Sequence, residues 1–242
     1  RRPVLLRGAA GELAKCGPEN WNVEALPSLI KSGGVRVSPD ATFTFCKEAN
    51  PLCKSGAFPL PSHVRKMSGK EFADRITMRS SHRLPPLFYG GTERYYMQAD
   101  MPTAVLDVTR VPQLWRTLGR TQAQPMRLWV STYGATTPLH FDSAESFLAQ
   151  MRGEKRIVFF PPAALPGLYP YPIDHPLHRR SRVPLHGSPL ARQEAFPHFE
   201  SIASQAQEVI IGEGDVILFP KYWWHHVETV SPLSCSVGCR YI

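Results

Sequence analysis

The chain has 242 residues, 43% of them hydrophobic, and a formal net charge of +8. No apolar run approaches the roughly 18 residues of a membrane helix, so a soluble globular protein with a full core is expected and a membrane partner is not. Five cysteines (Cys16, Cys46, Cys53, Cys235, Cys239), odd in number and irregularly spaced, argue against a secreted disulfide framework and for free thiols inside the cell, in cytoplasm or nucleus.

The basic balance favours an acidic peptide or RNA as partner. No dense Lys/Arg tract with interleaved aromatics marks a nucleic-acid motif, however. The chain opens on Arg1 rather than Met, so a trimmed N-terminus is expected and any targeting signal before it is not read.

In chain order, Arg2-Pro-Val-Leu-Leu-Arg-Gly8 reads as a short strand closed by glycine. Residues 20–33 carry apolar side chains at helical spacing and run into Gly33-Gly34, predicting a helix with Pro27 in its first turn. Strands are predicted at 35–37 and 42–45, and the Pro, Gly and Ser content of 49–62 predicts a loop. Ser68-Gly-Lys-Glu71 is a capping box; it opens a helix to about Met78 with Phe72 and Ile76 on its buried side. Arg94-Tyr-Tyr-Met-Gln-Ala99 returns to strand composition, with Tyr95 and Tyr96 on opposite faces. A short helix is predicted at 111–118.

From Met126 hairpins dominate. Strands are predicted at 127–132, 137–142, 146–151 and 156–160, the last two paired across Arg152-Gly153-Glu154. Alternation puts Phe147, Ala149 and Met151 on an apolar side and turns Ser146, Leu148 and Gln150 toward an interior; Lys155, Ile157 and Phe159 share a face of the returning strand. Residues 161–205 are rich in Pro, His and Arg without sustained periodicity, and read as an insertion over the mouth of a barrel, since loops this long are usually functional. Strands at 208–211, 216–219, 223–230 and 234–241 bring the count to about eight, the number that forms a double-stranded β-helix, a jelly-roll or cupin barrel. The expected class is mainly β with flanking N-terminal helices. Residues 1–242 are expected to form one domain, with 1–125 as a helix and strand extension and 126–242 as the barrel core carrying the 161–205 insertion.

Two runs carry chemistry. Thr137-Thr-Pro-Leu-His140-Phe-Asp142 holds an imidazole and a carboxylate two residues apart in a strand, so both leave the same face. Tyr222-Trp-Trp-His225-His226-Val offers a further imidazole from a second strand, where alternation allows only one of the two histidines to join the first pair. Two His and one carboxylate form a facial triad that leaves positions open on a non-haem Fe(II).

These runs, with Lys155 on the following hairpin and the turn Gly212-Glu-Gly-Asp215, resemble the Jumonji-C family of Fe(II)- and 2-oxoglutarate-dependent oxygenases, nearest its asparaginyl hydroxylase subgroup. The similarity is densest from Met126 onward, in Glu145-Ser-Phe-Leu-Ala-Gln150, Phe160-Pro-Pro162, Leu168-Tyr-Pro-Tyr-Pro172 and Tyr222-Trp-Trp-His-His226. The resemblance implies Fe(II) on His140, Asp142 and His225, with His226 left as a core or surface histidine. It implies 2-oxoglutarate on Lys155, Thr137 and Tyr96, with O2 as the second cosubstrate. From the residues alone, Thr137 is equally a β-branched strand former and Tyr96 a core tyrosine.

The implied reaction is hydroxylation of a protein or peptide side chain, with release of succinate and CO2. Histone lysine or arginine demethylation, RNA nucleoside hydroxylation and a non-catalytic cupin-like scaffold are the alternatives. On the substrate side, the subgroup pattern matches Arg179, Arg180, Ala144 and Ser146 in this sequence. The subgroup's carboxamide-bearing residues are replaced at the last three of these, so a straightforward asparagine substrate is not expected. The oligomeric state is left open.

Overall fold

The computed structural model describes residues 1–12, 20–80, 93–100 and 126–241. Cys16 and the helix predicted at 111–118 lie outside them. The chain folds into two antiparallel sheets. The major sheet holds β1 (Val4–Leu6), β10 (Val216–Phe219), β7 (Glu145–Arg152), β12 (Leu233–Tyr241), β5 (Arg127–Thr132), β4 (Arg94–Asp100), β2 (Gly33–Ser38) and β3 (His63–Met67), in that order. The minor sheet holds β6 (Thr136–Phe141), β11 (Trp224–Thr229), β8 (Lys155–Phe160) and β9 (Gln207–Ile211). Strands β5 to β12 are the eight of a cupin jelly roll, and the N-terminal strands lengthen the major sheet at both edges.

Three apolar layers follow from strand alternation. Ile157 and Phe159 of the minor sheet meet Ile217, Phe219 and Leu148 of the major sheet between the two. On the outer face of the major sheet, Phe147, Ala149, Met151 and Val237 pack with Trp21, Leu26, Phe72 and Ile76. On the outer face of the minor sheet, Leu139, Val158, Phe160 and Trp224 are covered by Ala164, Leu168, Val183, Phe199 and Ile202 of the insertion. Burying these faces is the main stabilising term, at about 1.5–3 kcal/mol for each large side chain.

Four N-terminal readings change. The helix expected over 20–33 is one turn, α1 (Leu26–Leu29): Pro27 confines its start, and Gly33 and Gly34 already belong to β2, where a Cβ on Gly33 would lie 2.9 Å from the Gln98 carbonyl oxygen. The strand expected at 42–45 is a single parallel bridge between Thr42 and Thr136. The loop expected at 49–62 includes the turn α2 (Pro51–Lys54), capped by the Asn50 side chain. Strand β3 escapes the pattern because it lies at the sheet edge with four of its five residues exposed, Val64 among them, so it shows no alternation. The capping box does open α3 (Gly69–Ser80), with the Glu71 N–H donating to Ser68 Oγ at 3.1 Å.

The 161–205 segment is more ordered than its composition indicates. It contains a 3-10 stretch at Pro162–Leu168, α4 (Pro189–Ala195) and α5 (Glu200–Ala203). Most of it covers the minor sheet's outer face, and only Pro176, His178, Arg179 and Arg180 reach the cavity. Its helices are no longer than seven residues and are spaced by prolines, too short for a 3.6-residue period to emerge.

Candidate metal centre

A cavity of about 700 Å³ opens between the sheets, within the size range of small-molecule sites. His140 and His225 meet there because they are directly opposed in the β6/β11 register, and opposed residues of an antiparallel pair share a face. Their ring centroids are 4.2 Å apart. The ligand atoms of His140, Asp142 and His225 all lie within 4.8 Å of one another.

Each imidazole is set for ligation through one nitrogen. His140 Nδ1 lies 2.8 Å from the Pro138 carbonyl, and His225 Nδ1 lies 3.0 Å from the Trp223 carbonyl. A carbonyl only accepts, so both Nδ1 atoms carry the proton and both Nε2 atoms keep a lone pair. Burial holds both histidines below the ordinary imidazole pKa; each ring or guanidinium nearby, His225, Arg180 and Arg240, pushes His140 down further. Neutral imidazole is the form that binds metal.

Asp142 is fixed from two sides. Its carbonyl accepts the Tyr222 N–H at 2.8 Å, tying the end of β6 to the approach to β11, and Arg240 lies 3.2 Å from its Oδ1. Tyr222 has φ 67 there, a left-handed conformation that a non-glycine residue adopts only when its surroundings hold it.

Thr137 lines the same cavity, although it stands three positions before His140 and regular alternation would turn it away. A bulge explains this. His140 pairs with His225, but Thr137 pairs with Val227, so Pro138 and Leu139 together oppose His226. Proline has no N–H for the ladder and is tolerated at such a bulge.

Lys155 is 1% exposed and lines the cavity. Among the described residues no carboxylate pairs with it, and burial pushes its ammonium down to about 8. Its Nζ sits 5.6 Å from the centre of the Tyr96 ring. Tyr96 is buried against Phe43, Phe45 and Trp129, and burial raises its phenol pKa. An uncompensated buried cation costs several kcal/mol, a cost that an anion entering the cavity would offset.

On the open side, Arg180 donates from Nε to the Phe45 carbonyl and keeps NH1 buried without a partner. Arg179 is exposed, with φ 69, and reaches Ser143 Oγ at 3.3 Å. Ser146 lines the cavity, whereas Ala144 is half-buried outside its lining. Arg240, Trp129, Phe45 and Gly238 also line it, and the sequence reading did not single them out. The one signal available was Gly238, a glycine inside a β run, which marks a close approach: a Cβ there would lie 2.9 Å from the Phe147 carbonyl oxygen.

The sequence profile of the cupin-like domain family matches residues 1–241. Among curated proteins, the chain is 35% identical over 117 residues to the human HSPB1-associated protein 1, a match covering 48% of this chain and 23% of that protein. It is 31% identical over 104 residues to lysine-specific demethylase JMJ31 of Arabidopsis thaliana, covering 43% and 18% of the two chains. With lysine-specific demethylase 8 of Xenopus tropicalis it shares 35% identity over 110 residues, covering 46% and 23%. The matches thus span about a quarter or less of each relative's length.

Proposed function

The chain belongs to the cupin-like domain family and, within it, to the Jumonji-C-type oxygenases, and from that premise we propose that it is an Fe(II)- and 2-oxoglutarate-dependent dioxygenase that hydroxylates a protein side chain. The observation that carries this reading is a two-histidine, one-carboxylate cluster sharing a cavity with a buried lysine that, among the described residues, no carboxylate neutralises.

His140, Asp142 and His225 would hold the metal on one face, through two neutral Nε2 atoms and a carboxylate oxygen. When bound, Fe(II) with 2-oxoglutarate and O2 supplies oxidation of an unactivated C–H bond, with succinate and CO2 as coproducts. The protein's own work is positioning. Lys155 would take the far carboxylate of 2-oxoglutarate in a charge-assisted contact, helped by the Thr137 hydroxyl. Tyr96, Phe45 and Trp129 wall that end off from water, which strengthens the contact.

Arg180 bears on specificity. A guanidinium donates only, whereas a carboxamide target needs both a donor and an acceptor. With Arg179 and Arg240 nearby, the open side favours a substrate segment rich in carboxylates or carbonyls over an asparagine side chain.

A second reading, removal of an N-methyl group from a lysine, is favoured by the relatives named lysine-specific demethylases. A protein or histone tail is the substrate class in either case. Incubation with 2-oxoglutarate, Fe(II) and a panel of acidic, asparagine-bearing and methyl-lysine peptides, read by mass spectrometry, separates the two. Gain of one oxygen atom by a peptide is the expected result, and loss of a methyl group would establish the second reading. Succinate release that no peptide stimulates, with every peptide mass unchanged, would overturn the protein-substrate proposal.

A further inference from the structure

Three side chains that this chemistry does not use converge on the outer face of the minor sheet. His226 and Glu228 are two residues apart on β11 and leave the strand on the face opposite His225. His186 arrives from the insertion. The ligand atoms of the three lie within 4.8 Å of one another, and the Nε2 atoms of His186 and His226 are 3.0 Å apart.

A hydrogen bond between two neutral imidazoles accounts for that short contact, but not for the rest. His226 is 2% exposed, and its Nδ1 is buried with no partner. An apolar side chain would fill this place in the core without leaving a polar atom unsatisfied. An imidazole is instead held there with its other nitrogen, Nε2, facing the Nε2 of a second imidazole, and a carboxylate oxygen lies within 4.8 Å of both. Two His and one Glu, with a water in the fourth position, are an established ligand set for a divalent ion.

One positive group stands close. Arg156 NH1 is 3.6 Å from Glu228 Oε2. Arg156 is also gripped by Glu208, its Nε 2.8 Å from Oε1 and its NH2 paired with Oε2. Arg156 therefore keeps a carboxylate partner when Glu228 turns to an ion.

We propose that His186, His226 and Glu228 form a second metal site, for Zn²⁺ or a similar borderline divalent ion, that fastens the insertion to β11 behind the iron ligand His225. Imidazole nitrogens with a single carboxylate suit Zn²⁺ better than Ca²⁺ or Mg²⁺, which prefer all-oxygen shells. The site stands independently of the proposed reaction.

The test separates the two sites by deletion. Metal-free His140→Ala/Asp142→Ala protein, which lacks the cavity triad, is dialysed against Zn²⁺ and against Co²⁺, and bound metal is measured. One equivalent is expected, with a Co²⁺ visible spectrum typical of low coordination number. Adding His186→Ala should weaken binding roughly tenfold or more; that side chain is exposed, so its loss is not expected to disturb folding. Glu228→Gln, which keeps the shape, should weaken binding as well. Absence of bound metal in the triad-deleted protein, or equal affinity with and without His186, would overturn the proposal, and neither outcome bears on iron in the cavity.

Discussion

At Lys155, burial and charge are in direct opposition. Its ammonium is pushed from 10.5 down to about 8. Between those two pH values the unfolded chain binds more protons than the folded one, so stability rises with pH across that window, and below about 8 the full penalty is present. Lys155→Met removes the penalty, worth about 3 kcal/mol at most. The ligand-free variant should melt higher than wild type at neutral pH while losing 2-oxoglutarate binding by calorimetry; a lower Tm with intact cosubstrate affinity would contradict the assignment. In the wild type, 2-oxoglutarate affinity should decline as pH rises through about 8, because the lysine then gives up its charge. His140 and Asp142 were legible as a candidate pair from their two-residue spacing in a predicted strand, although β6 ends at Phe141 and the aspartate follows it. The choice between His225 and His226 was not fixed by the residues, since the β11/β6 register that sets His225 opposite His140 is not readable locally. Arg240 escaped notice because nothing local connects it to Asp142, 98 positions earlier in a chain whose sheet register is not written in its composition.

Among the elements, the hairpin joining β7 to β8 carries the cation. Gly153 in its turn has φ +70, and a Cβ there would lie 2.0 Å from the Leu233 carbonyl oxygen. Gly153→Ala should therefore destabilise the fold by about 1–3 kcal/mol and, by shifting Lys155 two residues later, weaken 2-oxoglutarate more than metal binding. Equal loss of both in paired titrations would mean the hairpin does not position the lysine. The eight barrel strands were readable from β-branched and aromatic runs bounded by turn residues; some, such as β8 and β10, are buried on both faces and show continuous apolar runs rather than alternation. The bulge at Pro138 was not readable, although a proline inside a strand is its usual mark, and without it Thr137 would face away from the cavity. The insertion's short helices, seven residues at most, gave no period to read, and its cover over Val158, Phe160 and Trp224 appears only once the minor sheet has an outer face to protect.

For the whole molecule, the net charge is +8, and exposed Lys47, Arg127, Arg179 and Arg240 contribute to it in the lining of the cavity, Arg127 beside Asp100 and Arg240 beside Asp142. Acidic peptides should associate faster than neutral ones of the same length, and the difference should shrink as salt rises, since exposed charges beyond about 8 Å are screened at physiological ionic strength; stopped-flow rates insensitive to salt would remove steering from the account. Among the described residues no helix is long and apolar enough to cross a membrane. The central claim concerns one cavity in which a facial triad and a buried lysine hold a metal and a dianion together. Its most direct test is an anaerobic titration of the metal-free protein with Fe(II) and 2-oxoglutarate, followed by visible absorption. A metal-to-ligand charge-transfer band should appear in wild type and in His226→Ala and be lost in His140→Ala and Asp142→Ala; a band of unchanged intensity in both of the latter variants would contradict it.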